Sequence, residues 1–350
     1  MLSALVIAGC TNIGPKTVPR DRFDYNTAIS DSWKEQTLLN IVKIRYADMP
    51  LFIDVGSIVS GYTLEGSVQL GGSFSSSDSV QGDIFNLGTA GKYTDRPTIT
   101  YTPITGQQFN KSFMTPIPPR AILFLLQTGW SVEMIFPLAV DSINGLRAEV
   151  TAGSSQRVGD PKYYRVIEAL RKIQVSGAVG MQIKQADKNN MRDDIVMFIQ
   201  RDAISPETRE EFAEVRKLLG LKPDAWEISM RYGLISGSDT EMAMLTRSML
   251  QIMITLATQV EVPPEHVAEG RTVGSVVSES GEPRARIIEI HNSIERPMDA
   301  FTAVKYRDHW FSIDDRDFRS KRTFAFLMIL FSLMETGSSE GAPVITIPTN

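Results

Sequence analysis

The stretch YTLEGSVQLGGSFSSSDSVQGDIFNLGTAGKY, residues 62–93, decides how the rest of the chain is interpreted. From Tyr62 to Phe74 every even position is apolar or small, and every odd position is polar or Gly. Successive side chains of a strand point to opposite faces, so this arm has one apolar and one polar face. A second arm, residues 85–93, alternates in the same way. The large residues of the apolar face are Tyr62, Leu64, Val68, Leu70, Phe74, Phe85, Leu87 and Tyr93.

The two arms are separated by residues 75–83, a polar loop of Ser, Asp, Gln and Gly with a single Val. The simplest antiparallel register pairs Phe74 with Phe85 and places Leu70 opposite Thr89. In this register the apolar faces of the two arms coincide. The stretch therefore predicts a long amphipathic β-hairpin.

The hairpin has two interpretations. A membrane-spanning strand needs about 9–11 residues, alternates lipid-facing with lumen-facing side chains and carries aromatic residues at the interfaces. The hairpin has these features, and no Lys or Arg occurs between Arg45 and Lys92. In the alternative, an amphipathic hairpin lies on a soluble core. In the membrane interpretation, the lumen face comprises Thr63, Glu65, Ser67, Gln69, Ser73, Asn86 and Lys92.

The N-terminal residues favour the membrane interpretation. An apolar segment, Leu2–Gly9, ends in small residues before Cys10, the only cysteine of the chain. Residues 6–10, VIAGC, resemble the lipobox of bacterial lipoproteins. The resemblance implies that residues 1–9 are a signal peptide and that the Cys10 thiol carries a diacylglycerol. The alternative is a buried N-terminal strand with an incidental thiol.

The lipobox resemblance also implies a location. Thr11, rather than Asp, follows the cysteine, which by resemblance to proteobacterial sorting favours the outer membrane. More than one acyl chain makes membrane attachment stable. The membrane is thus the first expected partner, through the N-terminal lipid, with the bulk of the protein expected in the periplasm.

The overall composition is that of a globular protein. The chain has 350 residues, a net charge of −5 and 42% hydrophobic residues, which is enough for two domains. The acidic balance gives no support to a nucleic-acid partner. No apolar run reaches the ~18 residues of a transmembrane helix.

The pattern outside the hairpin mixes helices and strands. It predicts an α+β fold, with mixed or antiparallel sheets flanked by helices and the hairpin as an insertion. The expected organisation is a tether over residues 10–30, an α+β domain over 31–155 that contains the hairpin 62–93, and a second α+β domain over 156–350. Helices are predicted over 31–46, over 131–146 with a kink or break at Pro137, over 206–219 with a Ser205 cap and a Gly220 stop, and over the Met-rich 240–259. An antiparallel strand pair is predicted over 177–184 and 195–200. A hairpin is predicted to turn at Arg307 and Asp308.

The sequence contains no recognisable catalytic motif. The three histidines lack partners at metal-ligand spacing, and neither a nucleophile elbow nor a phosphate-binding loop is present. Asp314, Asp315 and Asp317 could hold a divalent cation with Glu335. In the favoured alternative they form an acidic helix start with Asp317 as N-cap. We therefore predict no enzyme activity and no cofactor.

Two further resemblances bear on function. Residues 32–36, SWKEQ, and 310–317, WFSIDDRD, are similar to phrases of an uncharacterised family of bacterial lipoproteins, which implies no activity. A hairpin in lipid would leave edge N–H and C=O groups unpaired, so several copies must close a ring of strands together. That architecture resembles the curli-secretion channel, a lipoprotein ring, although no motif is shared.

These observations predict a non-enzymatic, lipid-anchored outer-membrane protein that forms homo-oligomers and contributes its hairpin to a pore or export conduit. The first alternative is a periplasmic or surface scaffold lipoprotein that binds another envelope component without forming a pore. A remote alternative is an envelope hydrolase.

Overall fold

The computed structural model describes residues 14–59, 61–73, 84–152, 155–177, 179–184, 194–199, 205–274 and 286–334. The fold is α+β, with helices and several small antiparallel or mixed sheets, as the sequence predicts. Contacts divide the chain into two units. Unit 1 runs up to Trp33 and includes Phe52–Ile104, whereas unit 2 is Lys34–Leu51 together with the chain from Thr105 onwards.

The first helix, α1, is longer than the sequence pattern indicates. It spans Gly14–Arg45, so the segment expected to be a tether is helical from Gly14. Pro15 suits the first turn, and no Gly or Pro follows Pro19 within the helix to stop it. The segment escaped prediction because most side chains between residues 17 and 32 are exposed and show no apolar face.

In its described residues, unit 1 contains four strands besides the first part of α1. In chain order, the first strand pairs antiparallel with the fourth, and the second pairs antiparallel with the third. The strands are β1 (Ile53–Val59), β2 (Tyr62–Ser73), β3 (Ile84–Asp95) and β4 (Thr98–Pro103).

Unit 2 is built around a six-stranded mixed sheet. Its order is β6-β5-β12-β11-β10-β9, with one parallel pair, β11 and β12. The strands are β5 (Val140–Ile143), β6 (Leu146–Arg147), β9 (Val179–Lys184), β10 (Asp194–Ile199), β11 (Glu227–Tyr232) and β12 (Glu241–Thr246). Between β6 and β9, β7 (Val150–Ala152) and β8 (Ser155–Arg157) form a hairpin. Both strands belong to unit 2, and the domain boundary expected near residue 155 stays a prediction.

A three-stranded sheet, order β13-β15-β14, and the helices complete unit 2. Arg307 and Asp308 form the predicted turn between β14 and β15, with positive φ angles of 47° and 69°. The strands are β13 (His291–Ser293), β14 (Ala300–Tyr306) and β15 (His309–Asp314). The helices are α2 (Gly106–Phe109), a π-helical turn (Asn110–Met114), α3 (Pro119–Gln127), α4 (Val132–Ala139), α5 (Pro161–Val175), α6 (Pro206–Leu219), α7 (Met249–Ala257), α8 (Pro264–Ala268) and α9 (Phe318–Met334).

The helix and strand signals of unit 2 were partly correct. The predicted helix over 206–219 is α6: Ser205 caps it, and Gly220 ends it with a φ of 67°. The strand pair over 177–184 and 195–200 is confirmed as β9 and β10. The helix over 131–146 is wrong beyond residue 139, because α4 ends two residues after Pro137 and β5 follows.

The Met-rich helix over 240–259 is wrong in its first part and confirmed over Met249–Ala257. Its first part is β12, a central strand buried on both faces, and α7 starts only after Ser248. Ser248 and Gln251 form a capping box that fixes this start. A strand buried on both faces has no polar alternation, so its apolar run is indistinguishable from a buried helix by periodicity.

Candidate assembly site on a two-stranded ribbon

The four strands of unit 1 form one long two-stranded ribbon. In the first ladder, β1 pairs with β4, and Val59 lies opposite Thr98. In the second ladder, β2 pairs with β3, and Tyr62 lies opposite Asp95. Two residues lie between these pairs along each arm, so the register of the second ladder continues that of the adjoining end of the first. Between the ladders, the Arg96 N–H donates to the carbonyl of Gly61 at 3.0 Å.

The register of the second ladder differs by two residues from the one that the sequence suggested. Leu70 lies opposite Leu87 rather than opposite Thr89, which instead pairs with Val68. A shift of two keeps even positions of β2 opposite odd positions of β3, because strand faces alternate with a period of two. The even positions of β2 and the odd positions of β3, which are predicted to form the apolar face, therefore still lie opposite each other.

A β-bulge at Gly56 adjusts the first ladder. Val55 pairs with Tyr101 and Ser57 with Thr100, so Gly56 is the extra residue of β1. A Cβ added at Gly56 would lie 3.4 Å from Oγ1 of Thr102, which is an ordinary van der Waals contact, so the bulge does not by itself require a glycine.

The bulge brings the apolar residues of the first ladder onto one face. Without it, Val55 and Ile58 would alternate to opposite faces of β1. With it, Val55 shares the face of Tyr101, and Ile58 pairs with Ile99 on that same face. Tyr101 is 62% exposed and Ile99 38% exposed, so this apolar face is largely open.

The polar positions of the second ladder are also open to solvent. Thr63, Glu65, Ser67 and Gln69 of β2 are exposed. On β3, Lys92 lies opposite Glu65, and its Nζ is 3.6 Å from Oε2 of the carboxylate. This is the face predicted to line a lumen, and its described residues are hydrophilic.

The ribbon has only two strands in the described part of the chain. Neither ladder has a third strand hydrogen-bonded to it among these residues. An isolated two-stranded ribbon is marginally stable in water, and a long strand edge is a template for pairing with another chain. The geometry can thus support strand addition along either arm.

The first part of α1 contacts the ribbon where the two ladders meet. The Tyr62 hydroxyl donates to Oδ2 of Asp21 at 2.5 Å, and Arg20 donates to the other oxygen of that carboxylate at 3.0 Å. The Tyr62 and Tyr93 rings stack with centroids 6.2 Å apart. The Tyr62 hydroxyl holds the pKa of the Asp21 carboxyl below its usual range. We call these four residues the clasp. The pattern of residues 10–30, which predicts a tether, gives no sign of it.

The structure describes the predicted apolar positions only in part. Tyr62 and Tyr93 lie in the clasp, and Tyr93 is 51% exposed. Cys10, Phe74 and Glu335 lie outside the described residues. The remaining positions are placed by backbone pairing, which sets Leu64 opposite Tyr93, Val68 opposite Thr89, Leu70 opposite Leu87 and Gly72 opposite Phe85.

The aspartates before α9 each have a separate partner. Arg316 donates to both oxygens of Asp314 at 3.0 and 2.9 Å and lowers the pKa of that carboxyl to about 2. Asp315 accepts from Lys321 at 2.6 Å. Asp317 accepts from a backbone N–H in the first turn of α9, as an N-cap does. The arrangement matches the acidic helix start, and no group of metal-ligand residues occurs in the described part of the chain.

A buried polar cluster in unit 2 was not foreseen. The Tyr46 hydroxyl and Nδ1 of His266 lie 2.7 Å apart, and the His266 and His309 rings are 4.9 Å apart. Burial lowers the pKa of His266 and raises that of Tyr46 to about 12. The cluster joins the end of α1 to α8 and β15. Tyr46 and His266 are 220 positions apart, so no local pattern could have revealed it.

One cleft of unit 2 has a volume of about 260 Å³. Asp141 lines it, but Arg157 donates to this carboxylate at 2.7 Å. Ser248, also in the lining, caps α7 through its hydroxyl. Both groups thus have structural partners, and the cleft presents no nucleophile paired with a base among the residues that line it.

Comparison with known proteins gives no assignment: no family model, no curated protein and no solved structure matches the chain. Within the described residues, no helix combines the length and the hydropathy that crossing a membrane requires.

Proposed function

We propose that this chain is a non-enzymatic, lipid-anchored protein of the bacterial outer membrane. It oligomerises and contributes its ribbon to a pore or export conduit. The observation that carries the proposal is the second ladder, a two-stranded ribbon with twelve residues in each arm and a solvent-exposed polar face.

The dimensions of the second ladder fit a bilayer. Twelve residues at about 3.4 Å each give a length of ~40 Å. A strand tilted by about 40° then rises ~31 Å, against a hydrocarbon core of about 30 Å. The aromatic pair Tyr62–Tyr93 lies at one end of this ladder, where membrane strands carry interfacial aromatic residues.

Pairing requirements in lipid explain why copies must associate. Each unsatisfied backbone group in hydrocarbon costs several kcal/mol. A ring of ribbons satisfies the outer edge of every arm, and it hides the polar face in a water-filled lumen. One copy alone would expose both edges.

The clasp supports a position of the second ladder close to the proposed lipid anchor. The four Cα–Cα steps from Cys10 to Gly14 span at most ~14 Å. The helix from Gly14 to Asp21 then rises ~10 Å. Tyr62, held by Asp21, is therefore within reach of the bilayer surface to which an acylated Cys10 would be fixed.

The proposal is tested by removing the second ladder alone. Replacing residues 62–95 with Asn-Gly joins Gly61 to Arg96 through a tight turn and keeps the first ladder and α1. The lipidated full-length protein should release a small dye from vesicles of phosphatidylethanolamine and phosphatidylglycerol, and the shortened protein should not. Equal release by both, or none by the full-length protein, would contradict a pore.

The exposed apolar face of the first ladder favours a second candidate, a scaffold lipoprotein. Tyr101, Ile99 and Ile58 could bind another envelope protein without a pore. In that case the shortened protein should retain the partner, and the full-length protein should leave vesicles intact.

A further inference from the structure

We propose that neighbouring copies of this chain join β2 of one copy to the β3 strand of the next, in a register set by Glu65 and Lys92. Both residues then belong to one belt of alternating charge on the polar face of the ring. The inference rests on the proposed function and specifies which strands meet and at which height.

Glu65 and Lys92 occupy the same level of the ribbon on different strands. They pair directly in the ladder, and their side chains are 61% and 66% exposed. They are the only charged residues between Gly61 and Ser73 and between Ile84 and Thr94. Asp95, the last residue of β3, falls on the other set of alternating positions, so on the polar face each arm presents one charge, of opposite sign to the other arm, at one height.

Each of these charges can interact with two oppositely charged neighbours, one in its own copy and one in the next. In the isolated ribbon, Glu65 has one cross-strand neighbour, Lys92 of the same copy. Adding the β3 strand of the next copy along the outer edge of β2 gives the carboxylate a second ammonium neighbour at the same level. Opposite charges that face each other across strands are stabilising, and like charges are destabilising.

Head-to-tail addition also agrees with the strand directions. Because β2 and β3 are antiparallel, placing β3 of the next copy beside β2 makes another antiparallel pair. Such a contact joins two different surfaces, and it generates a ring when the rotation closes. Joining like strands, β2 to β2 and β3 to β3, would leave no carboxylate facing the ammonium of another copy.

Two charge variants separate contacts within a copy from contacts between copies. Glu65→Lys gives a ribbon with two positive charges, and Lys92→Glu gives one with two negative charges. In each variant both the internal pair and the pair between copies are repulsive. When the two variants are mixed, the internal pairs stay repulsive, but every contact between unlike copies becomes attractive.

We expect each variant alone to form detergent-stable oligomers about tenfold less well than the unmodified protein. Co-expression of the two, with different affinity tags, should restore oligomers that contain both tags. The double variant Glu65→Lys/Lys92→Glu, which reverses the belt, should assemble like the original. Glu295→Lys, an exposed position of unit 2, is the control for changed net charge and should have no effect.

The outcomes distinguish the two ideas. If the single variants assemble as well as the unmodified protein, or if mixing restores nothing, the charges do not meet between copies and the register inference fails. If the unmodified protein forms no oligomer in detergent or in vesicles, the proposed function itself fails.

Discussion

The depth of each position along the second ladder makes a quantitative prediction for lysine substitutions. If the Tyr62 end lies at the membrane interface, Val68 is six residues further along, ~20 Å of strand, or ~15 Å along the membrane normal at a tilt of about 40°. That is close to the middle of the hydrocarbon core. Leu64 lies only two residues from Tyr62, ~5 Å along the normal, near the interface.

The predicted cost follows this depth. Val68→Lys should destabilise the inserted oligomer by about 2–4 kcal/mol per copy, and Leu64→Lys by about 0–1 kcal/mol. Ser67→Lys is the matched control, since Ser67 neighbours Val68 but is an exposed polar position, the type predicted to face the lumen. It should have little effect.

The measurement is the urea midpoint at which vesicle-inserted oligomers dissociate, followed by unheated SDS gels and by dye release. The order of midpoints should be Ser67→Lys, then Leu64→Lys, then Val68→Lys, from highest to lowest. Equal midpoints for Ser67→Lys and Val68→Lys would refute a lipid-facing position for Val68. A larger effect at Leu64 than at Val68 would refute the assigned depth.

Three further predictions concern the bulge and unit 2. Deleting Gly56 removes the bulge but leaves Val55 opposite Tyr101 and Ile58 opposite Ile99, both on the apolar face, so we expect an unchanged yield of detergent-stable oligomers; a clear loss would show that the bulge itself, and not only the apolar face, is required. Burial lowers the pKa of His266 below 6.5, so the unfolded state binds the proton more readily than the folded state does. The melting temperature should therefore fall as the pH drops below about 6.5, and the fall should be smaller in His266→Gln. Tyr163 is fully buried, and its hydroxyl donates to the carbonyls of Phe136 and Val140. Tyr163→Phe should therefore lower the free energy of unfolding in urea by about 1–3 kcal/mol. A change smaller than the error of that measurement would contradict the two hydrogen bonds.

The hairpin was predictable because its signal is local. Alternation over twelve residues fixes both the strand and its faces, and a register error of two residues leaves the faces unchanged. The continuation of the ribbon into the first ladder was hidden. The bulge at Gly56 interrupts the alternation, so Val55 and Ile58 do not follow one period of two.

The errors elsewhere have physical causes of the same kind. The first half of α1 has no apolar stripe, and its contact with Tyr62 depends on residues some forty positions away. In β12, burial on both faces removed the alternation that identifies a strand. The cluster of Tyr46 and His266 depends on contacts between distant segments, which a pattern along the chain cannot reveal.

The clasp joins the base of the second ladder to the helix that follows the proposed lipid anchor. Asp21 accepts hydrogen bonds from the Tyr62 hydroxyl and from Arg20, and the Tyr62 ring stacks on that of Tyr93. Three residues lie between Cys10 and Gly14, the start of the helix that carries Arg20 and Asp21. An anchored copy would therefore keep the base of its second ladder close to the bilayer before neighbours assemble.

The most direct test of the central claim is an electron-microscopy image of the lipidated protein extracted in mild detergent. The proposal predicts closed rings whose wall contains two strands from each copy and whose centre is filled with water. The proposal would be contradicted if the images showed only single copies, each with its ribbon packed against its own helices. This result counts when the amount of protein is high enough to saturate the membrane fraction before extraction.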